Sequence, residues 1–178
     1  VLFQTGSTQF LYAGSGTAGN NISFSTAATI DTDGIKFQGD TASANALDDY
    51  EEGDFTATCA NSVTLHSDQD LCQYVKIGSM VTVMGQVRVN NSNSSQDLII
   101  NNLPFPVINS GSEAAGFSAG SVRLYSADIS SLDKYVVAVA YIGTSNLYFY
   151  SVRDNAASVP LSATSNGYYM FNITYRAA

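Results

Sequence analysis

Four carboxylates crowd into five positions of the segment Ala46-Leu47-Asp48-Asp49-Tyr50-Glu51-Glu52-Gly53. Paired carboxylates are the machinery of glycoside hydrolysis, one acting as acid and the other as base or nucleophile. That division of labour needs one carboxyl in an apolar pocket that raises its pKa. Here the large apolar neighbours are Leu47 and Tyr50 alone. In an extended chain alternate side chains face opposite ways, so Asp48 and Glu52 share a side with Tyr50, while Asp49 and Glu51 oppose them. The pattern fits a solvated structural hinge (Asp48, Asp49, Tyr50, Glu51, Glu52) better than a catalytic pair. Its carboxylates would bond backbone amides, or pair with Lys36 or Lys76 across chains.

Nucleophilic catalysis needs a histidine beside a serine or cysteine. The single histidine, His66, sits among Ser67, Asp68 and Asp70, which reads as polar surface, and no Gly-x-Ser-x-Gly elbow occurs. Cys59 and Cys72 enclose a short polar stretch. They either bridge two arms of a hairpin, which would suit an extracellular setting, or remain two free thiols. Two cysteines and one histidine lack paired metal-ligand spacing, so no metal site is expected. Asp31-Thr32-Asp33-Gly34 superficially resembles a calcium loop, but its glycine comes too early and the closing glutamate is missing, which leaves a turn. No glycine-rich phosphate loop occurs. The sequons at Asn21, Asn93 and Asn172 matter only in a secretory host. The residues thus predict no catalytic group, no cofactor and no enzyme activity.

The charge balance narrows the partners. Seven basic residues stand against fifteen acidic ones, for a net charge of -8. The basic residues are scattered singly, so no stripe exists for a phosphate backbone, and nucleic acid is not an expected partner. An anionic membrane surface is excluded on the same ground. No apolar run approaches the roughly 20 residues of a membrane span. Val1-Leu2-Phe3-Gln4 looks like part of a viral 3C-type protease site left by cloning.

Eleven tyrosines and nine phenylalanines with no tryptophan, amid abundant Ser, Thr, Asn and Gly, are the bias of β structure with many turns. Residues 1–44 show brief alternating bursts such as Asn21-Ile22-Ser23-Phe24 and Gly34-Ile35-Lys36-Phe37. Such a segment cannot bury a core alone. Its period-two bursts predict a slender shaft completed by partner chains. From Phe55 onward strands are predicted at 55–59, 63–66, 71–77, 80–90, 98–100, 118–127, 135–142, 146–153 and 168–176. In the strand from Met80, Val81, Val83, Val87 and Val89 fall on one face, which must be core. A polar loop is expected over 90–97. Leu103-Pro104-Phe105-Pro106 cannot lie in a central strand, because both prolines lack a ladder donor.

Two later strands are apolar on both faces. Leu147 and Phe149 oppose Tyr148, Tyr150 and Val152; Tyr169, Phe171, Ile173 and Tyr175 oppose Tyr168, Met170, Asn172 and Thr174. Two-sided strands are sandwiched, inside the fold or against a neighbouring subunit. The sharper alternative is an aromatic platform for a sugar ring, whose apolar C–H faces and hydroxyls suit tyrosine with nearby Asn, Ser and Arg. Tyr148, Tyr150 and Arg153 are the candidate receptor-contact residues.

The hinge Asp48-Asp49-Tyr50-Glu51-Glu52-Gly53, the segment Tyr74-Val75-Lys76-Ile77-Gly78-Ser79-Met80-Val81-Thr82-Val83-Met84-Gly85 and the later Leu103-Pro104-Phe105-Pro106 together resemble the C-terminal domain of bacteriophage tail fibre and related receptor-binding proteins. Members typically read Asp-Asp-Tyr-Glu-Glu-Gly-Thr-Trp-Thr-Pro, then Tyr-Thr-Lys-Ile-Gly-Asn-Leu-Val-Thr-Val-x-Gly, then Leu-Pro-Phe. The resemblance covers roughly residues 45–106. It departs at Asp54-Phe55-Thr56-Ala57, where Phe55 takes the tryptophan position and the proline is lost. Residues after about 110 match no family motif.

The resemblance implies a homotrimer at the tip of a virion tail fibre, extracellular when functioning and attached to a host surface glycan or other receptor without cleaving it. A glycan depolymerase and a purely structural fibre or capsid module are the alternatives. The expected fold is all-β, an antiparallel, jelly-roll-like β-sandwich head on a short intertwined trimeric β shaft. Its divisions are a shaft at 1–44, the acidic hinge at 45–53 and the head at 54–178.

Overall fold

The computed structural model describes residues 1–43, 46–91, 96–111 and 116–178. The chain divides into two units, Val1–Tyr50 and Glu51–Ala178. The division falls inside the acidic segment rather than before it.

The first unit is an antiparallel four-stranded meander of β1 (Leu2–Gln4), β2 (Ser7–Tyr12), β3 (Ser25–Asp31) and β4 (Gly34–Phe37), in that order. Thr32 and Asp33 form the two-residue loop between β3 and β4, which confirms Asp31 to Gly34 as a turn. The Asp31 carboxylate accepts the Asp33 main-chain N–H at 2.9 Å, the local bond that aspartate offers a turn. Leu47 exchanges main-chain hydrogen bonds with Ile35, extending the edge of β4. The unit leaves Phe3, Phe24 and Phe37 exposed, and among its described residues Lys36 is the charged side chain that is buried.

The second unit is built on an antiparallel sheet curled into a half-barrel. Its strands are β5 (Tyr50–Thr56), β6 (Thr64–Leu65), β7 (Leu71–Ile77), β8 (Met80–Asn91), β9 (Ile99–Ile100), β10 (Ser118–Tyr125), β11 (Asp133–Ala140), β12 (Leu147–Arg153), β13 (Val159–Pro160) and β14 (Tyr168–Arg176). The hydrogen-bonded path runs β13-β12-β11-β10-β14-β8-β7-β5, with β6 paired to β8 and β9 to β12. The chain is thus an all-β, antiparallel, sandwich-like fold without α-helix among the described residues. No helix is long and apolar enough to cross a membrane.

Alternation decides which residues enter the core. Val81, Val83, Val87 and Val89 of β8 are wholly buried, as are Tyr169 and Tyr175 of β14. Gly85 interrupts the valines because Cys72 stands directly opposite on β7. A Cβ at Gly85 would collide with the Cys72 Sγ. Leu98, Leu103 and Val107 join the same core from the irregular crossing around β9, together with Ile100 of β9 itself. Leu103-Pro104-Phe105-Pro106 lies in that crossing, outside every strand, as the missing proline donors require. The Tyr175 hydroxyl donates to the Phe105 carbonyl at 2.9 Å and anchors it.

Candidate functional site

Strand β12 presents Leu147, Phe149 and Ser151 to the core and Tyr148 and Tyr150 to the opposite, outer face. Both apolar faces were expected to be covered. The inner one is, and on the outer one Tyr148 and Tyr150 are half-buried. Register continues the outer face across six strands, and one row reads Tyr150, Val137, Ser121, Asn172, Met84 and Gln73.

The tyrosines of β12 belong to a longer aromatic ladder. Tyr148 and Tyr150 are stacked with centroids 6.2 Å apart, Tyr141 lies 5.4 Å from Tyr148, and Phe117 meets Tyr141 edge-on at 4.8 Å. Asn146 Nδ2 reaches the Tyr148 hydroxyl at 3.4 Å. Partial burial, then the neighbouring Tyr148 and Tyr141 phenols, raise the Tyr150 pKa above its ordinary value, so the hydroxyl stays protonated at neutral pH and can donate. Tyr141 and Phe117 were missing from the sequence-based set. They come from the ends of β11 and the approach to β10, and only strand register brings them beside Tyr148.

Arg153 is not in this group. It shares the inner side of β12 with Ser151, and its Nε donates to Asp133 Oδ1 at 2.8 Å. That bond is the main cause holding the Asp133 carboxyl below its usual range. A register shift between Asp133 and Tyr135 puts Arg153 opposite Asp133. The structure therefore brings Tyr148 and Tyr150 together and turns Arg153 away from them.

The hinge residues disperse rather than form one site. Asp48 packs beside Gly34 in the first unit, and Tyr50 opens β5. Glu51 accepts the Tyr74 hydroxyl at 2.5 Å, a bond that is the first cause of the raised Tyr74 phenol pKa. Glu52 and Asp54 point the same way from β5, along a shallow cleft lined also by Gln73, Tyr74, Val75 and Met84. Both carboxylates are exposed, without an apolar enclosure. Lys36 is taken by its own hairpin, at 3.0 Å from Asp31 and 2.6 Å from Asp33, and Lys76 lies over the Phe105 ring at 5.3 Å.

Cys59 and Cys72 carry free thiols in this structure, the second of the two alternatives. Cys59 bridges in main chain to Ile100 and Cys72 pairs with Gly85, so each packs against the core on a different neighbour. Burial pushes both thiols up to about 12, leaving them protonated and poor nucleophiles at neutral pH. His66 is half-buried, no hydroxyl or thiol bonds its ring, and its Nε2 has no partner among the described residues. No group of three or more His, Cys, Asp or Glu side chains among the described residues is arranged to hold a metal ion. Asn21 and Asn172 are exposed, while Asn93 and part of the expected 90–97 loop lie outside the described residues.

Compared with protein-family models, curated proteins and solved structures, the chain matches none. The functional argument therefore rests on the sheet face itself. Its stacked rings and hydroxyls can hold a ligand with flat apolar C–H faces and many hydrogen-bonding groups.

Proposed function

We propose that this chain is the receptor-binding tip of a virion tail fibre, which attaches to a glycan on the host surface without cleaving it. The observation that carries the proposal is the ladder Phe117, Tyr141, Tyr148 and Tyr150, whose strand residues lie on the face of β12 turned away from the core. Sugar rings stack on such rings through their C–H faces, while the Tyr hydroxyls and Asn146 take the sugar hydroxyls. The resemblance at residues 45–106 points to the same role. So does the first unit, whose exposed phenylalanines suit a shaft completed by two further copies in a homotrimer. Three weak sites on one trimer bind a repetitive surface far more tightly than one site does. Function on the virion places the working surface outside the host cell.

Cleavage of the same glycan is the second reading, and Glu52 and Asp54 along their cleft are what favour it. Their exposure leaves nothing to separate an acid from a base.

The test is adsorption of the labelled full chain to a panel of bacterial cells, before and after periodate oxidation of surface sugars. Binding that periodate abolishes and that excess unlabelled chain competes away supports the proposal. Binding that survives periodate but is lost on protease treatment of the cells, or no binding across the panel, overturns it.

A further inference from the structure

The outer sheet face holds a second cluster, remote from the ladder. Register places Arg88 of β8, Tyr168 of β14 and Tyr125 of β10 in one cross-strand row. The Arg88 guanidinium lies over the Tyr168 ring at 5.2 Å, and the Tyr168 and Tyr125 rings are 5.4 Å apart. Arg88 Nη2 donates to Asn166 Oδ1 at 2.9 Å. Asn166 is itself fixed in a left-handed turn, with φ 63°, by its N–H bond to the Val89 carbonyl. The guanidinium is thus held flat and oriented before any ligand arrives, which lowers the cost of binding. Its Nε is fully buried without a partner, and no described carboxylate pairs with its remaining donors.

Charge makes the cluster more than a solvated arginine. The chain is strongly acidic, at net -8. Yet the outer face of β8, β10, β11, β12 and β14 carries Arg88, Arg123 and Arg176 and no Asp or Glu among the described residues, its carboxylates Glu52 and Asp54 standing on the edge strand β5 beside Gln73 and Met84. Arg123 stands in the next row, its Nη1 against the Met170 sulfur at 3.3 Å. Arginine left without acidic partners, in a fork geometry, matches carboxylate or phosphate oxygens. The exposed Tyr125 ring beside it matches a sugar face.

We infer that Arg88, with Tyr125, Tyr168 and Asn166, is an anion subsite for an acidic glycan, one that carries a carboxylate or phosphate beside the ring that Tyr125 covers. The inference rests on the glycan-binding reading and names its ligand class. The net negative charge repels such a polymer at long range, but screening confines that repulsion to about 8–10 Å at physiological salt. Local arginines therefore decide the contact, and they select charged chains over neutral ones.

The test uses the full chain on an array of bacterial-type glycans, with uronate-bearing, phosphate-bearing and neutral members, the uronates printed also as their neutral methyl esters. Retention on uronate or phosphate members is expected, with the two arms telling carboxylate from phosphate. Methyl esterification, or Arg88→Gln, should lower retention by about tenfold, as for a lost charged hydrogen bond. Arg123→Gln serves if Arg88→Gln does not fold. Retention on neutral members alone, equal retention of ester and acid, or no anionic member retained would overturn the inference. Binding to neutral glycans alone would still leave glycan attachment standing, whereas failure to adsorb to cells removes attachment itself. An Arg88→Gln protein that sediments as a smaller oligomer would instead make this face a subunit interface, and the inference would fall.

Discussion

Tyr148 and Tyr150 stack on the outer face of β12 with ring planes 25° from parallel. Two residues apart on one strand, they are held by the sheet at a spacing that a sugar chain can follow. Tyr148 touches both Tyr141 and Tyr150, so it is the centre of the ladder. Tyr148 is half-buried and lies on the side of β12 away from the core, so Tyr148→Ala should cost little stability, about 1 kcal/mol as for a cross-strand pair. Urea unfolding measures it, and a loss several times larger would mean that the ring is structural.

The Tyr175 hydroxyl is buried and bonded to the Phe105 carbonyl. Burial raises its pKa well above the ordinary tyrosine value, so the group donates throughout the neutral range. Tyr175→Phe leaves that carbonyl unpaired and should destabilise the second unit by about 1–3 kcal/mol. A change in urea midpoint with unchanged slope is the expected result. An unchanged midpoint would show that water replaces the bond.

The two free thiols give a direct chemical count. Alkylation under denaturing, non-reducing conditions should modify both Cys59 and Cys72, and native protein at pH 7 should react slowly, since burial holds both thiols protonated. A chain that takes no label until reduced would instead contain the bridge.

These outcomes trace what alternation can reveal. The burial of Val81, Val83, Val87 and Val89 was legible, and so was the grouping of Leu147 with Phe149 and of Tyr169, Phe171, Ile173 and Tyr175 on one face each, because period two assigns faces without knowing the partner strand; which of those faces is core was not. Arg153 was grouped with Tyr148 and Tyr150 by nearness in sequence, although alternation itself puts it on the other side of β12, with Phe149 and Ser151, where it meets Asp133. The hinge read as a solvated structural junction, and its charges hid the start of the edge strand β5 at Tyr50, in which polar side chains can face solvent. Phe117, Tyr141 and the row Arg88, Tyr168, Tyr125 were beyond reach, since each depends on which strands lie adjacent and in what register.

In the first unit, Asp31 is lowered by its side-chain bond to Lys36 and its bond to the Asp33 amide, and Lys36 is raised by Asp33 and Asp31. Asp31 therefore stabilises the hairpin fully above its ordinary value of 3.8, and that contribution is lost as pH falls through its lowered pKa. Lys36 contributes fully below 10.5 and loses its contribution as pH rises through its raised pKa. Carboxyl NMR titration should show Asp31 below the ordinary range, returning toward it in Lys36→Met. An Asp31 that titrates normally in the parent chain would contradict the pairing.

Exposed Phe10, Phe24 and Phe37 require cover if the first unit is a shaft. Sedimentation equilibrium of the full chain should return three times 18.8 kDa, and Phe24→Ser with Phe37→Ser should shift the mass downward. A monomeric parent chain would remove the trimer from the proposal.

The central claim is that the ladder binds a glycan and leaves it whole. Its most direct measurement takes surface polysaccharide purified from a strain the chain adsorbs to. The dissociation constant is determined for parent and Tyr148→Ala by calorimetry, with reducing ends counted in the same samples. Binding weakened about tenfold by the substitution, as for 1.4 kcal/mol of lost contact, with no new reducing ends, is the predicted result. Equal affinity for both proteins, or reducing ends that accumulate with time, would contradict it.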